Sequence, residues 1–441
     1  MKTPFALAAP AALLLLGGDG ASRVAPPPAA IVERFGLVER YTQCLLVEGT
    51  PFVATAAVAP QALLEAEFLA RAMVGPRSEI LRALGESGTR FVAMSVRERT
   101  CDVDEHADLY PSAYWNKRAR GLGATAERPA VSAGEENLLG LEGDPYSTES
   151  IFIHEFGHAI HERALARVDP TFDGRLRRAF ESALAAGLWK GTYAASNRME
   201  YWAEGTQSWF DTNRANDAQH NDVATREKLR SYDKALAALL LEVYGDRPWR
   251  YRKPTQRKND PHLAGFDWRT APKFAWTPQE SDAYQKWEKL EKETARRAGE
   301  PERAWLERSA AAGIATSCVT LGLRYRDGAD GLARDDREAV RWFQRAVELG
   351  LVEAMDHLGW MVAQGRGAPR DEPQAVALYR RAAERGCAQA MWNLARHLQD
   401  GRGVRVDLAQ AKVWLARAAA RGHAAARNAL PTAPASRPGG R

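Results

Sequence analysis

A repeat of 36 residues in the last third of the chain constrains its fold more than any other feature. Three stretches of one design follow each other: AVRWFQRAVELG from Ala339, AVALYRRAAERG from Ala375 and AKVWLARAAARG from Ala411. Each ends in a glycine, and the loop GRG occurs at both 365–367 and 401–403. The apolar residues follow helical spacing, so each stretch is predicted to be an amphipathic helix.

A second helix is expected between these stretches, in CVTLGLRYRDG from Cys318, MDHLGWMVAQG from Met355 and MWNLARHLQDG from Met391. Two helices per period, with glycine at helix ends and loops, are the sequence form of an α-solenoid. In such an array each helical hairpin buries its apolar stripe only against its neighbours. A partial earlier copy, AWLERSAAAG from Ala304, indicates that the array begins near residue 300.

The repeat pattern is Leu-Gly, then Gly-x-Gly, then an aromatic residue, then Ala-Ala-x-x-Gly. This order resembles the Sel1-like repeat, a relative of the tetratricopeptide (TPR) family, over about 130 residues. The resemblance implies an all-α Sel1-like solenoid over residues 298–430. It also implies a surface that binds a protein partner.

The N-terminus has the layout of a secretory signal peptide. An apolar run from Phe5 to Leu16 follows a lysine and is itself followed by small residues. The run is short for a bilayer-spanning helix, so we expect residues 1–25 to be removed, with cleavage between Gly20 and Ala25. The mature chain would then be secreted or periplasmic, without a membrane span. An uncleaved anchor is the alternative.

The intervening residues mix strand and helix patterns. The stretches LVERYTQCLLVEGTPFVATAAV and GTRFVAMSV are strand-like, QALLEAEFLARAMV reads as an amphipathic helix, and a short strand is expected around 130–132. A chain of 441 residues, 45% hydrophobic and 27% charged, is long enough for two or three soluble domains. The sequence therefore predicts an α+β domain over residues 26–297, before the solenoid, and a disordered tail over 431–441.

Charge and cysteine content exclude some functions. The net charge of +5 is small and evenly spread, which argues against a nucleic-acid partner. The four cysteines lack the spacing of a metal knuckle. Cys44 and Cys101 lie in the N-terminal half and can pair in an oxidising compartment, but free thiols are equally compatible with the sequence.

The stretch IFIHEFGHAIHERA, residues 151–164, contains the pattern HExxH. On a helix His154 and His158 lie one turn apart on one face, so both imidazoles can reach one zinc ion. Zinc lowers the pKa of a bound water toward neutrality, and Glu155, on the adjoining edge, is placed to take its proton and deliver it to a leaving amine. His161 is expected to be a bystander.

A catalytic zinc ion has three protein ligands. The metzincin pattern is excluded because residue 164 is alanine, and the aspzincin pattern is disfavoured because no aspartate follows the Gly-Thr pair at 191–192. The stretch SNRMEYWAEGTQSWF offers Glu200 and Glu204 one turn apart. Glu200 is the predicted third ligand, and Glu204 would accept the distal N–H of His154. The reverse assignment of the two glutamates stays open.

At these residues the sequence resembles the gluzincin metallopeptidases, and within them the anthrax lethal factor C-terminal (ATLF-like) family. That family places a tyrosine seven residues before the ligand glutamate and an acidic residue four after it; here these are Tyr193 and Glu204. The match, over roughly Ile151–Phe210, implies a zincin-like fold, one catalytic Zn²⁺ and a Tyr193 hydroxyl that donates to the oxyanion. Substrate selection is not implied.

Two stretches before the HExxH pattern, RARGLG at 118–123 and GEENLL at 134–139, are candidates for an edge strand that pairs with an extended peptide. A merely structural loop is the alternative.

Three functions agree with these patterns. The first is an exported zinc-dependent peptidase that acts on peptide or protein substrates and whose helical array binds protein partners or the cell envelope. The second is a binding scaffold whose zinc domain is inactive. The third is a zinc hydrolase that cleaves a cell-envelope amide, since the metal ligands alone do not fix the substrate.

Overall fold

The structure is a computed structural model that describes residues 24–430. The predicted signal peptide up to residue 23 and the predicted disordered tail lie outside this range. Ala25, at the end of the predicted signal peptide, pairs with Cys44 through two backbone hydrogen bonds. No helix within 24–430 combines the length and apolarity needed to cross a membrane.

A five-stranded mixed sheet forms the centre of the N-terminal region. Its order is β1-β2-β3-β5-β4; β2, β3 and β5 run parallel, and each outer strand is antiparallel to its neighbour. This confirms the predicted α+β class. The strands are β1 (Gln43–Val47), β2 (Thr50–Ala54), β3 (Arg90–Met94), β4 (Gly121–Leu122) and β5 (Ala130–Gly134).

The first strand-like stretch of the sequence folds as a hairpin. Val47 pairs with Thr50, so only Glu48 and Gly49 form the turn. Both have positive φ, 51° and 83°, which is the backbone of a type I′ turn. The sequence prediction of a strand here was correct, and the turn residues divide it in two.

Eleven helices and several 3₁₀ turns surround this sheet within the described range. The helices are α1 (Ala29–Phe35), α2 (Pro60–Val74), α3 (Ser78–Glu86), α4 (Ser112–Arg118), α5 (Glu135–Leu139), α6 (Ile151–Ala159), α7 (Ala166–Val168), α8 (Phe172–Ala185), α9 (Arg198–Trp209), α10 (Arg226–Tyr232) and α11 (Lys234–Tyr244). A π-helical turn, Ile160–Leu165, continues α6 into α7.

Buried aromatic side chains fix helix α6 against the sheet. The rings of Phe52 in β2 and Phe91 in β3 lie 5.1 Å apart, and the ring of Phe152 in α6 lies 5.0 Å from that of Phe91. All three side chains are fully buried. Each such burial contributes roughly 1.5–3 kcal/mol to stability. These contacts therefore hold the helix that carries HExxH against one face of the sheet.

The C-terminal region is an array of antiparallel helices, as the repeat predicts. A helix with few buried residues, α12, leads into it. The helices are α12 (Pro278–Thr294), α13 (Glu302–Ala311), α14 (Ala315–Asp327), α15 (Asp336–Glu348), α16 (Val352–Gln364), α17 (Glu372–Glu384), α18 (Ala388–Asp400), α19 (Leu408–Ala420) and α20 (Ala424–Ala429).

The recurring Leu-Gly pair has a packing role. A Cβ at Gly322 would stand 2.6 Å from the ring of Phe343, and one at Gly359 would stand 2.9 Å from the ring of Tyr379. The absent side chain lets the aromatic residue of the following helix approach the backbone. In these two repeats the glycine and the aromatic ring of the following helix thus form one close contact.

Buried charges join the last repeat to the N-terminal region. The Arg421 guanidinium donates to the Asp104 carboxylate at 2.8 Å. Beside it, Arg90 donates to Glu105 at 2.7 Å, with both side chains 2% exposed, and the Tyr41 hydroxyl donates to Glu105 at 2.9 Å. Burial raises the pKa of Glu105, but the two arginines and these hydrogen bonds outweigh it and lower the pKa to about 2.

Replacement of Glu105 by glutamine is expected to reduce the free energy of unfolding at pH 7 by about 3–5 kcal/mol, because Arg90 keeps its buried charge without a partner. The pKa of Glu105 is depressed in the folded state, so its contribution is present above about pH 4.3 and is lost as the pH falls toward 2. Urea unfolding at several pH values measures this. Glu39→Gln, at an exposed glutamate, is the control. If Glu105→Gln lowered the free energy of unfolding as much at pH 3 as at pH 7, the stabilising role given to the Glu105 carboxylate would be contradicted.

The segment after Glu105 connects the repeats to helix α4. Tyr110 packs against the hydrophobic core of the repeats, and its ring lies 5.7 Å from that of Trp287 in α12. Tyr114 of α4 stacks on Tyr284 of α12, with ring centroids 5.3 Å apart. The repeat region and α12 therefore both support α4.

The four cysteines are free thiols, Cys44 and Cys101 included. The structure does not show the disulfide that the sequence left open. Burial raises the pKa of Cys44 to about 11 and that of Cys101 to about 12, so neither is an activated nucleophile.

Candidate metal centre

Helix α6 presents His154 and His158 on one face. Ser150 caps the helix, and its hydroxyl accepts from the Ile153 amide. Each histidine is only 8% exposed. The spacing that predicted a common face is therefore realised on a capped and buried helix.

Helix α9 carries Glu200 to the same point. The Asn197 side chain caps this helix by accepting from the amides of Met199 and Glu200. Further along, the Trp202 indole donates to the Gly157 carbonyl of α6 at 3.0 Å. Gly157 lets the two helices approach, since a Cβ there would stand 3.3 Å from Thr206.

The three predicted ligands form a nearly equilateral triangle. His154 Nε2 lies 3.2 Å from His158 Nε2 and 3.2 Å from a Glu200 carboxylate oxygen, which lies 3.3 Å from His158 Nε2. Ligand atoms at about 2.0–2.1 Å from a tetrahedral zinc ion are about 3.3–3.4 Å from each other. The triangle thus fits a zinc ion, and these three residues can hold a metal.

The charged groups of this cluster shift the pKa values of its members. Burial opposes the charged form of His154, but its hydrogen bond to Glu200 and the charges of Glu155, Glu204 and Glu200 raise its pKa to about 10. Burial also opposes the charged form of Glu200, yet hydrogen bonds from both histidines lower its pKa well below its usual range. Such a site favours a bound cation.

The His154 ring N–H that was expected to donate to Glu204 is paired with another residue. Gln207 Oε1 lies 2.9 Å from His154 Nδ1, whereas Glu204 Oε1 lies 3.6 Å away, beyond hydrogen-bonding range. Glu204 instead accepts from Asn213 at 3.0 Å and lies 3.2 Å from His220 Nε2. Gln207 was not predicted from the sequence, although it follows Glu200 by seven residues, two helical turns on one face.

Glu155 lies beside the two histidines with its carboxylate free. Within residues 24–430 no group donates a hydrogen bond to it or forms an ion pair with it. It lines the two cavities that meet at this site. Burial raises its pKa, against the opposing effect of the two histidines. A carboxylate with a raised pKa and no fixed partner is suited to accept and return a proton.

Tyr193 reaches the site from a 3₁₀ turn, Tyr193–Ala195, just before α9. Its backbone amide donates to the Gln219 carbonyl at 2.7 Å, and its ring centroid lies 6.4 Å from that of His154. Burial and the charge of Glu200 raise the pKa of the Tyr193 hydroxyl. The hydroxyl therefore stays protonated and able to donate. Its role toward an oxyanion stays a prediction.

His161 lies outside the triangle, although it is buried. Its Nε2 lies 3.1 Å from Asp173 in α8, and burial lowers its pKa to about 4. This location agrees with its expected role as a bystander.

Two cavities, of about 480 and 280 Å³, meet at the metal centre. Arg118, His154, Glu155 and Tyr193 line both. Together the cavities form an open cleft that passes the three ligands. Arg118, at the end of α4, was not singled out from sequence; the hydroxyls of Tyr193 and Tyr114 outweigh its burial and raise its pKa.

One wall of the cleft is the edge strand β4. A Cβ at Gly121 would stand 2.4 Å from Ile151, and one at Gly123 would stand 2.8 Å from the His158 side chain. These glycines let the strand pass directly over the HExxH helix. Of the two stretches proposed for an edge strand, only RARGLG provides one; GEENLL ends β5 and forms α5.

Comparison with known proteins assigns a family to the C-terminal region. Residues 315–351, 352–387 and 388–423 each match the Sel1 repeat. These three segments are therefore Sel1 repeats, and the predicted repeats are confirmed. The match leaves the region before residue 315 without a family, so the gluzincin resemblance stays a prediction.

Solved structures similar to this chain include a Sel1 repeat protein from Oxalobacter formigenes, at 41% identity, covering 28% of this chain and 92% of that one, with a TM-score of 0.26. Cysteine rich protein B of Helicobacter pylori matches at 17% identity over 30% and 99% of the two chains, with a TM-score of 0.25.

A protective antigen of uropathogenic Escherichia coli strains, described as displaying an SLR fold, matches at 20% identity over 57% of this chain, with a TM-score of 0.29. This chain spans half of that antigen. No curated protein matches the chain.

Proposed function

We propose that the chain is a zinc-dependent peptidase with a Sel1-repeat module for protein partners. The triangle formed by His154, His158 and Glu200 carries this proposal, because its edges fit the ligand shell of one zinc ion. A free carboxylate at Glu155 and a protonated hydroxyl at Tyr193 lie beside it. These are the groups that hydrolysis of an amide requires.

Zinc, when bound, polarises a carbonyl and increases the acidity of a water. In the proposed reaction Glu155 takes the proton of the attacking water. It later delivers that proton to the nitrogen of the leaving amine, and the amide C–N bond breaks. Tyr193 donates a hydrogen bond to the carbonyl oxygen as negative charge develops there. Gln207 holds the imidazole of His154 in a fixed orientation.

An extended peptide fits the cleft beside β4. One edge of this strand pairs with β5, and Gly121 and Leu122 line the cavities around the metal centre. Backbone pairing with such an edge binds a peptide without reading its side chains. This geometry supports an extended peptide as the substrate, rather than a compact molecule that cannot pair along the strand.

The test is hydrolysis of a broad peptide library by the zinc-loaded full chain. Cleavage that requires Glu155 supports the proposal. Stoichiometric zinc without any cleavage dependent on Glu155 would count against it, and would favour the binding scaffold to which the Sel1 repeats point.

Replacement of Tyr193 by phenylalanine is expected to lower kcat by about 10²–10³-fold with little change in KM, since the lost hydrogen bond acts on developing charge. Steady-state kinetics on one cleaved peptide measures this. Tyr146→Phe is the control, because its hydroxyl also lines the cleft but donates to the Arg118 carbonyl. Equal losses in the two variants would remove Tyr193 from the proposed reaction.

A further inference from the structure

Three arginines from separate parts of the chain line one cavity between the N-terminal region and the last repeat. Arg34 belongs to α1, Arg163 to the π-helical turn that continues α6, and Arg427 to α20. The cavity has a volume of about 750 Å³. It is separate from the cleft at Glu155, and neither the Sel1 match nor the proposed peptidase accounts for it.

None of these arginines forms an ion pair with a carboxylate in residues 24–430. Each donates to a nearby backbone carbonyl, and Arg163 also donates from Nε to the Thr89 hydroxyl at 3.4 Å, but each keeps other donors available because a guanidinium has five. The bonds are from Arg34 to Gly85 at 3.1 Å, from Arg163 to Ser87 at 2.7 Å and from Arg427 to Gly422 at 2.8 Å.

The carboxylates that line the cavity are already paired. Glu33 binds Lys412 at 3.0 Å, and Glu86 lies 3.9 Å from Arg167. The positive charge of the three arginines is therefore not balanced by these residues.

The arginines also act on each other. Burial lowers the pKa of Arg163, and the charge of Arg427 lowers it further, while Glu127 and Glu162 oppose this effect. Arg34 and Arg427 are exposed and Arg163 is half-buried, so solvent screens part of this repulsion, and an anion bound between the guanidinium groups removes more of it.

Arginine suits phosphate because its planar fork matches two phosphate oxygens, and a phosphate monoester carries nearly two negative charges at pH 7. Half of the remaining lining residues are apolar, and the others are glycines and polar or charged residues. The apolar members are Ala30, Ala126, Pro129, Ala416, Ala419, Ala420 and Leu430.

We propose that this cavity binds the phosphate group of a small molecule with an apolar body, held by Arg34, Arg163 and Arg427. The bound molecule links α1 and α20, and so fastens the last repeat to the N-terminal region. Because it binds only the docked arrangement, it also stabilises the folded chain.

Isothermal titration of the full chain with phenyl phosphate tests this, at constant ionic strength and with EDTA present to exclude binding through zinc. We expect saturable binding, with at least about a tenfold weaker affinity for inorganic phosphate, which lacks the apolar body. Arg163→Gln and Arg427→Gln should each weaken phenyl phosphate binding at least about tenfold.

Arg178→Gln is the matched control, because Arg178 is exposed on α8 and does not line the cavity. Unaltered affinity in both cavity variants would overturn the proposal. Equal affinity for inorganic phosphate would overturn the apolar part of it. Phenyl phosphate should also raise the melting temperature of the wild-type chain more than sodium chloride does at equal ionic strength. This measurement tests the proposal even if a variant fails to fold. The absence of this rise would contradict the proposal.

Discussion

Replacement of Glu155 by glutamine is expected to lower kcat/KM for peptide hydrolysis by about 10²–10⁴-fold, the contribution of a positioned general base and acid. Glutamine keeps the shape of the side chain but cannot accept the proton of the attacking water. The zinc content should stay near that of the wild-type chain, because Glu155 is not one of the three converging ligand residues.

Metal analysis and steady-state kinetics on the same preparation measure both quantities. His161→Gln is a suitable control, because His161 lies on the same helical segment but contacts Asp173 rather than the metal centre. Its effect on kcat/KM should be small by comparison. If Glu155→Gln retained full activity, another base would have to be sought.

Replacement of Glu200 by alanine is expected to cause the largest loss of zinc affinity among the glutamates near the site. It removes one of three ligands, whereas removal of an outer partner of a ligand typically costs 10–100-fold. Glu204→Gln should therefore weaken zinc binding less than Glu200→Ala, because the Glu204 carboxylate contacts Asn213 and His220 instead.

Competition with a zinc chelator gives the two affinities. Circular dichroism on each variant shows whether the helical fold is intact. If Glu204→Gln lost more zinc than Glu200→Ala, the reverse assignment that the sequence left open would be correct.

Local patterns were sufficient to predict much of the fold. The 36-residue period, together with glycine at helix ends, predicted the C-terminal array because each repeat contacts mainly its neighbours. The hairpin of β1 and β2 was predicted only as one strand, since its Glu-Gly turn is a weaker signal than Asn-Gly. The order of the sheet was not predicted, because it depends on pairings between distant segments.

Some residues of the site could likewise be predicted from local patterns, and others could not. His154, His158 and Glu200 follow helical spacing and a known motif, so the sequence was sufficient to predict them as metal ligands. Gln207 was missed because two glutamates on the same helix were the more obvious partners of a histidine. Arg118 begins the RARGLG stretch, but its position in the cleft was not predicted, because α4 is far from the motif in sequence.

The structure also qualifies the role of the repeats. The predicted partner was another protein, yet Asp104 and Tyr110 of this chain already contact the repeat region. These residues precede α4, whose Arg118 lines the cleft. The repeats are therefore placed to support the cleft wall in addition to any external partner.

The most direct test of the proposed peptidase measures the cleavage of a peptide library by mass spectrometry. The measurement is made on the zinc-loaded chain, after zinc is removed and after zinc is added back. The account predicts cleavage by the zinc-loaded chain, loss of all cleavage after chelation, and recovery when one equivalent of zinc is added. Cleavage that persists in the chelated chain would contradict it. So would a chain that binds one zinc ion at His154, His158 and Glu200 and cleaves no peptide.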